Sequence, residues 1–190
     1  MNNIRVGFAL CGSFCTFSRV IPQIERLKAE GISIMPIMSP VARTTDTRFG
    51  KADDFAAKIE DICGEKIIDS IKAAEPIGPK ALLDVLIIEP CTGNTLAKLA
   101  NGIADTSVTM AAKAHLRNQR PLVIAVSTND GLGCAAKNIG MLQNCKNIYF
   151  VPYRQDDPIN KPTSLVADFD KTLDTVNAAL VGSQIQPMII

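Results

Sequence analysis

Five short apolar runs divide this chain at intervals. They cover residues 4–10, 32–38, 84–89, 122–126 and 148–151. Each is of strand length, and each is apolar almost throughout rather than alternating apolar with polar. A strand covered on both faces reads in this way, and such strands belong to parallel sheets whose crossovers lay helices on either side. The segments between the runs supply those helices. Phe14, Phe17, Val20, Ile21, Ile24 and Leu27 recur at helical spacing after the first run, and Gly31 stands where a helix should stop.

The same reading continues along the chain. It predicts an amphipathic helix over 53–62 stopped by Gly64, a short strand at 67–68 and a turn-rich connection over 75–79. Residues 95–118 are helical in character, with an interruption near Gly102 and Asp105, and a further helix lies between 130 and 143. A polar loop over 154–162 then leads into a helix capped by Ser164, with Leu165, Val166, Phe169, Leu173, Val176 and Leu180 on one face. The apolar tail 184–190 has no evident partner. The expected architecture is α/β: one domain over 1–190, a three-layer, doubly wound, Rossmann-like fold with a mostly parallel sheet of about six strands.

Composition narrows the chemistry. The chain has 190 residues, 47% hydrophobic and 21% charged, and 20 basic against 19 acidic side chains leave a net charge of +1. Disorder needs low hydrophobicity with high net charge, and non-specific nucleic-acid binding needs a concentrated basic face, so neither is expected. There is one histidine, His115, so imidazole chemistry has little to rest on; it is expected as a partly exposed helical residue. Six cysteines match no zinc-ligand spacing, and no metal site is expected. The start of the chain lacks a signal-peptide layout and no run is long enough to span a membrane, which together suggest a cytoplasmic protein with mostly buried, reduced thiols.

Ligands of doubly wound sheets bind outside the carboxyl ends of the strands. Four loops there are rich in small hydroxyl and amide side chains: 11–14, 39–45, 90–95 and 127–130. In the first, Gly12 and Ser13 lead from strand to helix, which suits either a phosphate or a plain helix cap. In the third, Thr92, Asn94 and Thr95 close a central strand. They suit either the donor–acceptor edge of a flat ligand or a hydrogen-bonded turn. Arg43, Arg48, Arg154 and Lys161 are candidates for gripping a dicarboxylate, Arg43 foremost because it follows the second strand. Phe14 and Phe17 share the helical spacing of core residues, and Cys91 adjoins the third loop.

Taken together, Gly12-Ser13, the stretch Pro90-Cys-Thr-Gly-Asn-Thr95 and Gly102-Ile-Ala-Asp105 resemble the flavoprotein family of flavin-containing cysteine decarboxylases and their relatives. The resemblance implies bound FMN, its phosphate in the first loop and its ring against the third. The implied cofactor-binding residues are Gly12, Ser13, Phe14, Ser39, Thr92, Asn94, Thr95, Ser127 and Asn129, with Arg43 and Arg154 toward the substrate. Segments 147–152, 155–158, 161–165 and 184–187 resemble one branch of that family. There the flavoprotein chain works in a sporulating bacterium alongside a second subunit that looks like a nicotinamide-dependent dehydrogenase, on a small dicarboxylate. The family also implies a homo-oligomer, trimeric or a multiple of it.

This chain departs from the decarboxylase pattern in two places. It has no histidine in its early half, and Ala125-Val-Ser-Thr-Asn129 stands where the decarboxylases have a proline–x–methionine–asparagine motif. No residue is assigned as catalytic. An autonomous flavin decarboxylase, a prenyl-flavin synthase and a non-catalytic scaffolding chain remain the alternatives.

Overall fold

The computed structural model describes residues 4–190. Five strands lie parallel in the order β2-β1-β3-β4-β5: β1 (Arg5–Leu10), β2 (Ser33–Met38), β3 (Val85–Cys91), β4 (Leu122–Thr128) and β5 (Ile148–Phe150). Every residue of β3 is buried, as are all but the last of β4. That burial explains why these runs contain so few polar residues. In register, Phe8 lies between Pro36 of β2 and Ile87 of β3. The expected strand at 67–68 is a single parallel bridge from Ile68 to Ile37 beside β2.

Helices cover both faces. A short 3-10 turn, Phe14–Thr16, runs into α1 (Phe17–Ala29), which packs against α3 (Ala52–Cys63) and α8 (Thr172–Leu180). Between β2 and α3 lies α2 (Pro40–Thr44). The other packed group is α4 (Ile71–Ala74), α5 (Gly93–Ala100), α6 (Ser107–Leu116) and α7 (Ala136–Gln143). The expected interruption between α5 and α6 is present. Gly102 takes the left-handed conformation (φ 68°), and Thr106 with Thr109 forms a reciprocal capping box that restarts the helix. Gly64 ends α3 in the same left-handed conformation.

The structure corrects the reading of the C-terminal quarter. Residues 154–162 are not a loop but most of an antiparallel hairpin, β6 (Tyr153–Asp157) and β7 (Lys161–Ala167). Its outward residues Arg154, Gln155 and Asp156 are exposed, which gives the segment its polar composition. Leu165 and Val166 therefore sit in a strand. Ser164 caps no helix, and its hydroxyl instead donates to the Thr128 carbonyl at 3.3 Å. The apparent helical period ran on from α8 through Phe169 into strand residues. With β6 and β7 the sheet has seven strands rather than about six.

The tail also finds partners. Tyr153 N–H donates to Met188 O, and Ile190 N–H to Tyr153 O. The Gln184 amide accepts from Phe150 N–H and donates to Phe150 O, both at 2.7 Å. One side chain thus supplies the short strand β5 with an edge partner and blunts that edge.

Two ionisable groups are buried inside. Glu89 on β3 is fully covered; Oε2 accepts from the Thr172 hydroxyl at 2.6 Å, and Oε1 has no partner. Burial, with a smaller push from Asp170, raises its carboxyl from 4.5 to about 8 against the lowering effect of the Thr172 hydroxyl. His115 is not partly exposed as expected. It is 1% exposed, its Nε2–H donates to Pro121 O at 2.9 Å, and burial lowers it from 6.5 to about 4. It ties the end of α6 to the start of β4 as a neutral ring.

Two predictions come from this packing. A Cβ on Gly78 would stand 2.5 Å from the backbone oxygen of Ala114 on α6, so Gly78→Ala should destabilise the fold by about 2 kcal/mol in urea denaturation. The two buried groups set opposite pH limbs. Folded Glu89 retains a proton that the unfolded chain releases between pH 4.5 and about 8, so stability falls as pH rises through that window. Folded His115 refuses a proton that the unfolded chain takes up between about 4 and 6.5, so stability falls as pH drops through that window. Between pH 4.5 and 6.5 the two effects offset, so wild-type urea midpoints should fall chiefly as pH rises from 6.5 to about 8. Glu89→Gln should remove that fall and expose the acid limb, and His115→Gln should extend the fall down to pH 4.5.

Candidate functional site

A cleft of about 530 Å³ opens at the carboxyl ends of the strands. The chain leaves β1 toward β2 on one side, and β3 lies on the other, so the strand order reverses here and leaves a crevice. Gly12, Ser13 and Phe14 come from the end of β1, Thr92 from the end of β3, and Ser127, Thr128 and Asn129 from the end of β4. Asp156, Lys161, Ser164, Leu165 and Val166 of the hairpin form another wall.

The hydroxyls of Ser13 and Ser127 lie 2.8 Å apart across the cleft, joining the ends of β1 and β4. Beside them the chain turns into the 3-10 segment and α1. The Phe14 and Cys15 N–H groups head that first turn, where no helical carbonyl reaches them. Thr92 caps α5, its Oγ1 accepting from Thr95 N–H at 3.4 Å. The Gly93 backbone is closely approached: a Cβ there would lie 2.7 Å from both Thr128 Oγ1 and Asp130 Oδ1.

Six of the sequence-predicted cofactor residues therefore meet at one cleft: Gly12, Ser13, Phe14, Thr92, Ser127 and Asn129. The others are placed differently. Thr95 turns inward and donates to Cys11 Sγ at 3.2 Å. Ser39 caps α2, accepting from Ala42 N–H at 3.3 Å, and Asn94 is exposed on the first turn of α5, outside the lining. Arg43 is engaged by Asp53 at 2.6 Å and Asp69 at 3.8 Å. Arg154 lines a separate groove of about 380 Å³ beside Tyr153, Ile189 and Ile190.

The sequence reading missed several lining residues. Arg19 was absorbed into the helical pattern of α1, yet it lines the cleft with its guanidinium 5.0 Å from the centre of the Phe169 ring. Phe49 lines the mouth, and its only sequence signal was an aromatic residue alone in a threonine-rich loop. Of the hairpin wall only Lys161 was foreseen, as a dicarboxylate candidate, and the rest was missed because the hairpin itself was.

The ionisable groups along the lining are Cys15, Arg19, Asp156 and Lys161, with Lys161 held by Asp156 at 2.8 Å. Cys11 and Cys91 lie beneath the cleft fully buried. Desolvation pushes Cys11 up to about 11 and Cys91 well above its usual range, so both are packed thiols rather than nucleophiles. Cys15, Cys134 and Cys145 are exposed, so the thiols are half buried rather than mostly so. No cluster suited to a metal occurs among the described residues, and no described helix is long and apolar enough to cross a membrane. The arrangement offers hydroxyls, backbone N–H groups and an arginine to a flat, phosphorylated ligand. It offers little acid–base chemistry of its own.

Comparison with known proteins agrees with that geometry. The chain is 48% identical over 186 residues to the dipicolinate synthase B subunit of Bacillus subtilis (strain 168), covering 98% of this chain and 93% of the relative. It superposes on the crystal structure of the dipicolinate synthase B subunit from Bacillus halodurans C with a TM-score of 0.92 at 47% identity, over 100% of this chain and 98% of the other. The FMN-dependent cysteine decarboxylase SpaF matches with a TM-score of 0.67 at 26% identity, over 94% and 96% of the two chains. The Flavoprotein family model matches residues 1–180, and on this evidence the chain belongs to the Flavoprotein family.

Proposed function

We propose that the protein is the flavin-binding component of a dipicolinate synthase. In this reading it binds FMN in the strand-end cleft and acts with a dehydrogenase-like A subunit, which carries NAD(P), to form dipicolinate from dihydrodipicolinate during sporulation. The observation that carries the reading is the cleft itself. Gly12, Ser13, Phe14, Thr92, Ser127 and Asn129 are scattered over the chain, yet they line one cavity whose volume lies in the range of small-molecule and cofactor sites. The donor set fits FMN in kind: hydroxyls and helix-start N–H groups for a phosphate, and amide and hydroxyl edges for a flat ring.

In this assignment Ser13, Ser127 and the first N–H groups of the 3-10 turn hold the phosphate. Thr92, Thr128 and Asn129 face the ring edge, and the hairpin residues Leu165 and Val166 exclude water on one side. Bound FMN would supply the capacity to accept a hydride or electron pair, which this chain's side chains lack. The chain's own work is to bind, orient and shield. The structural kinship with an FMN-dependent decarboxylase supports the cofactor, and the full-length similarity to the dipicolinate synthase B subunit supports the partner and product.

A homo-oligomer forms part of the proposal. Its support is the surface groove of about 430 Å³ along α5 and α6, where Leu99, Ile103 and Leu116 gather with Ile103 47% exposed. We further assign the protein to the cytoplasm of the mother cell, where dipicolinate for the spore would be made.

Two outcomes are expected. Titration with FMN should quench flavin fluorescence at one equivalent per chain. Ser13→Ala and Ser127→Ala should each weaken binding about tenfold, as expected for losing a hydrogen bond to a charged group. Protein that takes up no FMN contradicts the cofactor assignment. In a reconstituted assay with the A subunit, dipicolinate should form faster with the FMN-loaded chain than without it; an equal rate from the A subunit alone contradicts the catalytic role.

A further inference from the structure

The loop between α2 and α3 presents an aromatic ring to the cleft in a way the flavin reading does not require. Thr47 and Gly50 close a tight turn through two backbone hydrogen bonds, at 3.0 and 3.1 Å, and the Thr47 hydroxyl accepts from Phe49 N–H at 3.2 Å. The Asp46 carboxylate accepts from Ala52 N–H at 2.9 Å and fixes the far side of the turn to the start of α3. Gly50 has φ +149° and lies flat on Phe55, whose ring a Cβ would approach to 2.7 Å. Phe55 in turn meets Phe17 edge-on with centroids 5.0 Å apart, and Phe17 packs on Phe14 at 5.5 Å. A chain of contacts thus runs from the core to the turn.

At the end of that chain stands Phe49, 46% exposed and on the cleft lining. A fixed turn that holds a large apolar ring in water loses burial energy at that position. The Arg48 guanidinium lies 4.9 Å from the Phe49 ring centre, and it makes no ion pair among the described residues. Arg19, the arginine of the lining, likewise makes no ion pair among the described residues, but it lies over the Phe169 ring rather than that of Phe49. Two other nearby cations are paired. Arg43 is held by Asp53 and Asp69, and Lys161 by Asp156. The cleft lining therefore carries a rigid aromatic surface at Phe49, and an exposed arginine without a carboxylate partner stands beside that ring, just outside the lining.

We propose that Phe49 and Arg48 form the substrate subsite of the cleft, with the ring of a flat heterocycle stacked on Phe49 and its carboxylate gripped by Arg48. The proposal rests on the proposed function for its ligand, a planar dicarboxylate, and on the flavin reading for its neighbour in the cleft. It replaces Arg43 and Arg154 as the residues facing a dicarboxylate, since one is already paired and the other lies on a different groove. Arginine suits the role because its planar fork matches both oxygens of a carboxylate while its face stacks on an aromatic ring. Offset stacking on Phe49 adds selectivity for a planar ligand.

The test is calorimetric titration of the FMN-saturated protein with pyridine-2,6-dicarboxylate, and with pyridine-2,6-dicarboxamide as the uncharged control. FMN affinity is measured separately for every variant. Phe49→Leu, which keeps apolar bulk but removes the ring, and Arg48→Gln should each weaken dicarboxylate binding about tenfold. Phe49→Tyr should retain it, and FMN affinity should stay unchanged throughout. The proposal is overturned if the wild-type protein does not bind the dicarboxylate, if the variants bind it as well, or if the dicarboxamide binds equally. It is also overturned if Phe49→Leu alters only the state of assembly. Dicarboxylate binding that depends on both residues in protein that takes up no FMN would uphold this subsite and remove the flavin reading.

Discussion

Strand β4 changes partner along its length, and the site depends on that exchange. Its first half pairs in parallel with β5 through Leu122 to Ile124, while its end, Ser127 and Thr128, pairs antiparallel with β7. Because β5 stops at Phe150, the edge of β4 is free just where a ligand would approach the carboxyl ends, and the hairpin fills it. The hairpin continues past the sheet as a wall, bringing Lys161, Ser164 and Leu165 to the cleft. Gly131 allows this closeness, since a Cβ there would lie 2.5 Å from the Leu165 side chain. The Ser13–Ser127 contact then joins β4 to β1 across the intervening β3, so the cleft is framed by a strand pair that does not share backbone hydrogen bonds.

Electrostatics follow the same economy. With a net charge of +1 the protein has no broad field to draw in an anion, so recognition must come from individual groups. Arg43 and Lys161 are already paired with carboxylates, and Arg19 and Arg48 instead lie over aromatic rings. Inside, Glu89 and His115 are neutral at ordinary pH because burial favours the uncharged form of each. The sheet core beneath the cleft is thus uncharged, and the polar chemistry is confined to its rim.

The parallel core was legible because its physics leaves a direct trace: strands covered on both faces must be apolar throughout. Runs at 4–10, 32–38, 84–89, 122–126 and 148–151 each became a strand. The loops ending β1, β3 and β4 stood out by small hydroxyl residues after a buried strand, although such residues also cap helices, as Thr92 does here and Ser39 does after β2. The hairpin was not legible. Its outward residues are polar on an exposed edge, and Leu165 and Val166 happen to fall in phase with the apolar face of α8. Arg43 and Arg154 could not be judged by sequence either, because Arg43 is engaged by Asp53 and Asp69 folding against it and Arg154 ends on a separate groove. The single histidine looked like a partly exposed helical residue, and only the approach of Pro121 shows why it is buried.

The central claim is that one cleft, framed by β1, β3, β4 and the β6–β7 hairpin, holds the flavin. Hydrogen–deuterium exchange with and without FMN tests it most directly. The account predicts slower exchange at 12–16, 92–95 and 127–129 and along 153–167, with the α5–α6 groove around Ile103 unchanged. Protection centred on that groove, or none at the strand ends, would contradict it.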